Sequence, residues 1–239
     1  MLSNIWLTRL PRVKRISSRT CYLKSISRDK RVLHVGCVDA PFFKKQLETG
    51  NLLHAHLTDI AEHVVGVDID CAGVEAMTVM GFDVICDDVE IPSILPTLEP
   101  FDVVIAGEVI EHLNNPGQFL KNLRLVIKPD GILVVTTPNA FRWYNPLVAL
   151  FQREFVHPDH TTWYSYATLC TLLSRYGFRV CEVGVTNTRQ LDLKRSDDLF
   201  LILLKGGFIA LHFVLRHSIV RIAPFLGDTL ILTAKPCMI

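Results

Sequence analysis

The sequence predicts an α/β fold with a doubly wound sheet, and three observations carry that expectation. Short apolar runs of strand length alternate with segments of helical spacing along most of the chain. Several of those runs end on a glycine or an aspartate, the residue types expected where a strand gives way to a ligand-binding turn. The 239 residues and a 49% apolar share are enough for one large core and exclude a disordered chain.

Residues 1–30 are expected to form a basic N-terminal arm or helix, and 31–239 a single domain. "RVLHVG" (31–36) reads as the first strand of that domain and "NLLHAHLTDIAEH" (51–63) as a helix. "HVVGVDID" (63–70) is a strand that ends in acids, and "AGVEAMTVMG" (72–81) is a helix stopped by Gly81. "DVICDD" (83–88) and "FDVVIAG" (101–107) are further strands. "NPGQFLKNLRLVI" (115–127) is a helix with Asn115 as N-cap and Pro116 in its first turn. "KPDGILVVTTP" (128–138) is a turn followed by a strand. "SYATLCTLLSRYG" (165–177) is a helix capped by Ser165 and closed by Gly177. "FRVCEVGV" (178–185) and "DTLILTAK" (228–235) complete a sheet of seven strands, mainly parallel, with the last strand antiparallel.

The net charge of +1 hides an asymmetry. Residues 1–31 hold nine Lys and Arg against one acid, Asp29, while the rest holds sixteen against twenty-three. The leader meets the loose description of an organellar transit peptide; the plainer reading is an arm packed beside the domain. The acidic body, with no basic run among its aromatics, argues against a nucleic-acid partner. The seven cysteines form no metal-ligand spacing and read as free thiols in a reducing, cytoplasmic setting.

The strand ends carry the chemistry. Gly36 permits a tight turn with close backbone approach. Asp68, closing "VVGVD", suits the vicinal hydroxyls of a ribose; otherwise it caps the next helix. Asp88 in "CDDVE" suits an adenine amine, with the Val89 N–H facing a ring nitrogen, and Asp87 competes for that role. A dinucleotide-binding dehydrogenase needs G-x-G-x-x-G, which is absent.

On "VLHVGC", "VVGVDID", "CDDVEI", "FDVVIAGEVIEHLNNP", "KPDGILVVTTPN" and "WYSYATLCTLLSRYGF", in that order, residues 31–187 resemble a class I S-adenosylmethionine-dependent methyltransferase with a Rossmann-like sheet. The resemblance implies S-adenosylmethionine as cofactor. It carries Gly36, Asp68 and Asp88 over as contacts, and Cys37, Ile69, Val89 and Gly107 as neighbours that frame it. The family's first motif continues Gly-Cys-Gly-x-Gly; here it is Gly36-Cys37-Val38-Asp39-Ala40. The overall look also resembles bacterial methyltransferases of polysaccharide and natural-product pathways, which implies a small-molecule or glycan hydroxyl as acceptor.

For the acceptor side, "EVIEHL" sets Glu108, Glu111 and His112 at i, i+3 and i+4, on one face if a helix starts there. "FVHPDHTTW" adds His157, Asp159 and His160. Three readings stand side by side: His112 or His160 as a metal-free base; Glu108, Glu111, His112 and His160 around a divalent ion, as in small-RNA 2′-O-methyltransferases; or a purely structural helix cap. A non-catalytic adenosine-binding scaffold is the rival from another class, on the strength of the missing glycines. Residues 199–226 are very apolar, though each half falls short of the roughly 20 residues a membrane span needs. They read as a helix covering the sheet, a homodimer face, an acceptor lid, or a peripheral membrane contact helped by the basic arm.

Overall fold

The computed structural model describes residues 9–187 and 218–237. One mixed sheet runs through it, built from β1 (Lys14–Ile16), β2 (Arg31–Val35), β3 (His63–Asp68), β4 (Val84–Cys86), β5 (Phe101–Gly107), β6 (Ile127–Pro138), β7 (Phe178–Thr186) and β8 (Thr229–Pro236). The strand order is β1-β7-β8-β6-β5-β2-β3-β4. β8 lies antiparallel between β6 and β7, and the other pairs are parallel. The order turns outward in both directions from the β2/β5 pair, which makes the carboxyl ends of those strands the switch point where a ligand sits.

All seven expected strands are present, and the sheet has eight rather than seven. The extra one is β1, contributed by the basic leader, which pairs with β7 from Lys14↔Gly184 to Ile16↔Thr186. β1 packs closely at Gly184, where a Cβ would lie 2.4 Å from Ile16 Cδ1. The leader continues into α1 (Arg19–Ser27), capped by the Ser18 hydroxyl on the Cys21 N–H.

Period-two alternation divides the core between the two faces of the sheet. Val32, Val103, Ile105 and Val134 pack on one face against Leu23 of α1 and Leu57 of α3 (Leu53–Thr58). Leu33, Val35, Val104 and Leu133 pack on the other. They meet Phe119 and Leu123 of α5 (Pro116–Val126) and Leu169 and Leu173 of α7 (Tyr166–Arg175). Leu23 is fully buried, which contributes about 1.5–3 kcal/mol and fixes α1 on the sheet. α5 starts where expected: Asn115 Oδ1 accepts from Gln118 N at 3.0 Å, with Pro116 next. Ser165 and Thr168 form a reciprocal cap on α7.

Three local expectations are corrected. Residues 108–113 form a turn, not a helix, so Glu108, Glu111 and His112 do not share a helical face. Glu108 has φ 60°, which breaks any helix before it can begin, and regular α-structure waits for the Asn115–Pro116 start. The segment before the predicted 51–63 helix, with no predicted element, forms a helix of its own, α2 (Phe43–Glu48). Finally, Cys71 and Cys86 are not free thiols but a disulfide. Parallel pairing of β3 with β4 and the turn into α4 (Cys71–Val79) bring their Cα atoms to 5.1 Å. The apolar segment 199–226 lies outside the described residues up to 217; of the remainder, Val220 is buried and Ile222 exposed.

Candidate functional site

The turn after β2 is a glycine turn of unusual build. Gly36 has φ 74°, and a Cβ on it would approach Val109 Cγ2 to 2.7 Å. Its N–H donates to Val67 O at 2.9 Å, which anchors the turn to β3. The second glycine of the family pattern is replaced by Val38, and the side chain is buried under α4 with Val74 and Met77. Space for it comes from the facing helix. A Cβ on Gly73 would lie 2.3 Å from Val38 Cγ1, so the absent side chain at 73 leaves the room that Val38 occupies. Asp39, the variable residue between the second and third glycine positions of the pattern, takes the left-handed conformation (φ 57°), which a short polar side chain tolerates better than most, and Ala40 stands at the third glycine position.

Asp68 ties this loop down. Its Oδ2 accepts from Val38 N at 2.9 Å and its Oδ1 from Asp70 N at 3.0 Å. An ionised carboxylate accepts about four hydrogen bonds, so both oxygens retain capacity for ribose hydroxyls. Cys37 sits beneath the turn, fully buried. Burial, reinforced by the Asp68 charge, pushes its thiol far up, so it packs as a neutral group and offers the site only backbone.

The carboxylates after β4 separate by environment. Asp87 is buried and accepts from Ser93 N, Ser93 Oγ, Ile94 N and Leu95 N. Burial alone would raise its pKa; those hydrogen bonds outweigh it and hold the carboxyl below its ordinary value. Asp87 is therefore consumed in holding its own loop. Asp88 is partly exposed and closes a turn through Oδ1 to Glu90 N at 2.8 Å. Val89 is buried, whereas the Ile69 side chain is 71% exposed at the mouth between the β3 and β4 ends. The Cys71–Cys86 disulfide straps those two ends together.

A further residue was missed in the sequence. Arg19, the first residue of α1, reaches across the sheet end to Gly107. A Cβ on Gly107 would stand 2.1 Å from an Arg19 terminal nitrogen. Arg19 Nε is buried with no hydrogen-bond partner among the described residues. Desolvation raises the Asp39 carboxyl, and the Arg19 charge works against that rise, which places the guanidinium within range of the glycine turn. A buried guanidinium edge at the switch point fits the carboxylate of an amino-acid-bearing nucleoside such as S-adenosylmethionine. One signal was available: Arg19 follows the cap residue Ser18 in an otherwise polar leader, but nothing distinguishes it from eight other basic residues there.

On the acceptor side, the turn 108–113 meets the segment after α6 (Asn145–Ala149). His112, His157 and His160 converge, with ligand-capable atoms of all three within 4.8 Å of one another. The His112 and His160 rings meet edge to face at 4.6 Å. Glu108 and Glu111 are not part of that cluster. Glu111 is buried and takes the Thr137 hydroxyl on Oε2 at 3.0 Å, while its backbone carbonyl accepts from Thr161 N and Oγ1. Desolvation first, and the neighbouring His157 second, hold His112 below the ordinary histidine value, so its imidazole is neutral at pH 7. Asp159 donates its N–H to His157 Nδ1 at 3.3 Å.

A glycine turn after the first domain strand and a carboxylate after the second, at the switch point of a doubly wound sheet, have the build of a nucleoside-binding α/β fold. Comparison with known proteins gives the family. Residues 10–183 match the methyltransferase-domain family, and the chain belongs to it. Its fold is that of solved S-adenosylmethionine-dependent methyltransferases. A ubiquinone biosynthesis O-methyltransferase from Bradyrhizobium diazoefficiens is 33% identical over 132 residues, 53% of this chain and 46% of that protein. One from Rickettsia typhi is 32% identical over 115 residues, 46% of this chain and 41% of that protein. The chain thus spans about half the length of the curated relatives it matches. A methyltransferase from Archaeoglobus fulgidus shares the fold at TM-score 0.54 and 20% identity, covering 90% of each chain. So does the magnesium protoporphyrin IX methyltransferase of Synechocystis, at TM-score 0.55 and 15% identity over 91% of this chain and 80% of that one. Among the described residues no helix is long and apolar enough to cross a membrane.

Proposed function

We propose that this protein methylates a hydroxyl oxygen on a small-molecule or glycan acceptor. The observation that carries the reading is the convergence of His112, His160 and His157 beyond the β5 end, where desolvation of His112 favours a proton-accepting imidazole. The O-methyltransferase relatives support oxygen as the acceptor atom. S-adenosylmethionine supplies a sulfonium methyl, which an oxygen nucleophile takes by in-line displacement.

The chain's own residues bind and orient. Arg19 takes the cofactor carboxylate, Asp68 the ribose hydroxyls and Asp88 the adenine amine, with Val89 N–H toward the ring. Ile69 offers an apolar surface to the base. Gly36 and Gly107 let the backbone come close, and Cys37 supports the turn from below. His112 or His160 receives the hydroxyl proton as the C–O bond forms, a role worth roughly 10²–10⁴ in rate. Glu111 braces both sides by holding Thr137 and the Thr161 backbone.

A second reading rests on one observation, the convergence of three imidazoles. A borderline divalent ion such as Zn²⁺ suits that donor set better than Mg²⁺ does, and it would polarise the hydroxyl in place of a base.

The test is to incubate the protein with S-adenosylmethionine and a panel of catechols, phenols and sugars, with and without a chelator, and to follow products by mass spectrometry. Methyl ethers formed in chelator support the first reading. Formation only with added metal supports the second. Tight S-adenosylhomocysteine binding with no product from any hydroxyl would favour the scaffold alternative.

A further inference from the structure

The stretch from Phe151 to His160 contains no helix or strand and is almost entirely exposed. Its backbone ties are local: Phe151 N to Val148 O at 3.0 Å, Gln152 N to Ala149 O at 2.9 Å, Arg153 N to Val148 O at 3.3 Å and His160 N to His157 O at 3.1 Å, with Thr161 N to Glu111 O at 2.9 Å just beyond its end. Yet it delivers His157 and His160 to His112. A segment this thinly bonded needs an anchor to hold two imidazoles in one place.

Arg142 lies at its base and is only 1% exposed. A guanidinium is buried so completely only when its charge and donors are engaged. Its Nε donates to Asn145 Oδ1 at 2.7 Å, and a terminal nitrogen donates to the Phe155 carbonyl. Asn145 passes the contact on to Ala140 O at 3.1 Å. The guanidinium carbon lies 4.8, 5.3 and 4.7 Å from the ring centres of Tyr144, Phe155 and Trp163. Phe155 lies in the middle of the exposed stretch and Trp163 just past it. Trp163 then presents its ring to His160 at 6.2 Å and donates its indole N–H to Glu154 at 3.0 Å.

We propose that Arg142 is a positioning residue for methyl transfer: its buried fork and the three rings around it fix the 151–163 segment so that His157 and His160 stand against His112. The proposal rests on the reading of those histidines as the acceptor-side groups and holds whether they act as bases or as ligands. Lysine cannot substitute, because its ammonium has no planar fork to bond Asn145 and Phe155 together while lying flat among rings. Arg142 acts through Trp163 and His160, not on the reacting atoms.

The test uses the full chain, as Arg142→Lys and Arg142→Ala. Peptide-resolved hydrogen exchange should show 151–163 exchanging about tenfold faster in both variants, with 31–107 unchanged. Affinity for S-adenosylhomocysteine should stay within about twofold. With 3,4-dihydroxybenzoate as probe acceptor, kcat should fall about tenfold to a hundredfold while the KM for S-adenosylmethionine holds. Methylguanidinium should restore both protection and rate to Arg142→Ala. Faster exchange everywhere, or loss of S-adenosylhomocysteine binding, would make Arg142 an ordinary core residue and overturn the proposal. So would a loosened segment with unchanged kcat, or no change in exchange. If the wild-type protein leaves the probe unmethylated, the hydroxyl reading fails for catechols, and the exchange and rescue measurements still decide the role of Arg142.

Discussion

Replacing Arg19 by methionine removes a cation from the cofactor cleft and keeps a side chain of similar reach. The guanidinium stands against Gly107 with its Nε buried and without a hydrogen-bond partner among the described residues, a costly arrangement unless an anion completes it. The carboxylate of S-adenosylhomocysteine is the anion the cofactor brings. A hydrogen bond to a charged group is worth about 1.5–3 kcal/mol, so Arg19→Met should weaken that ligand about 10- to 150-fold. 5′-Methylthioadenosine has the same base, ribose and sulfur but no amino-acid moiety, so its affinity should not move. Calorimetric titration of both ligands into both proteins gives the answer as a ratio of ratios, which cancels any general loosening of the cleft. Equal weakening of the two ligands would mean that α1 merely supports the fold. An S-adenosylhomocysteine affinity within about threefold of wild type would refute the carboxylate assignment outright.

Asp68→Ala should abolish S-adenosylhomocysteine binding in the same titration, because it removes the ribose acceptor together with the tethers to Val38 N and Asp70 N; wild-type affinity would overturn the assignment. Asp88→Ala should cost about 1.5–3 kcal/mol of cofactor affinity, whereas Asp87→Ala should cost folding stability by stranding the Ser93, Ile94 and Leu95 donors; the opposite pattern would move the adenine contact to Asp87. The stacked His34–His54 pair is buried, and desolvation lowers both pKa values, that of His54 to about 4. The unfolded chain binds protons below about pH 6.5 that the folded pair refuses, so stability should fall as pH drops from 7 toward 4, on the order of 2–3 kcal/mol for His54 alone. Urea midpoints at pH 7 and 5 should converge in His54→Gln, and an unchanged pH slope would refute the attribution. Reducing the Cys71–Cys86 bond, which spans a separation of 15 residues, should lower stability by about 3 kcal/mol. Thiol titration of the denatured chain should rise from five to seven on reduction, and seven before reduction would mean that the bond does not form.

What the sequence reveals here follows from how local the cause is. β2, β3 and β5 are buried on both faces, so each reads as a largely apolar run, and the residue that ends the run is the one at the site: Gly36, Asp68, Gly107. Asn115 and Ser165 announce their helices because a cap acts within one turn. The misread "EVIEHL" shows the limit of spacing alone: it has i, i+3 and i+4 partners but no cap, and the positive φ of Glu108 turns the chain instead. Everything else that escaped is a contact between distant segments. The Val38–Gly73 packing cannot be read from the loop, which looks merely impaired without the helix that makes room for it. Cys71 and Cys86 meet only because β3 and β4 run parallel. Arg19 is one basic residue among nine until β1 joins β7 and α1 packs by Leu23, which together carry its guanidinium to the switch point. The loop that departs from the family's glycine pattern and the leader that looks like a solvated arm are thus two halves of one cleft. Gly73 in α4 leaves the room that the Val38 side chain fills, and α1 contributes a cation that the glycine turn itself does not contain.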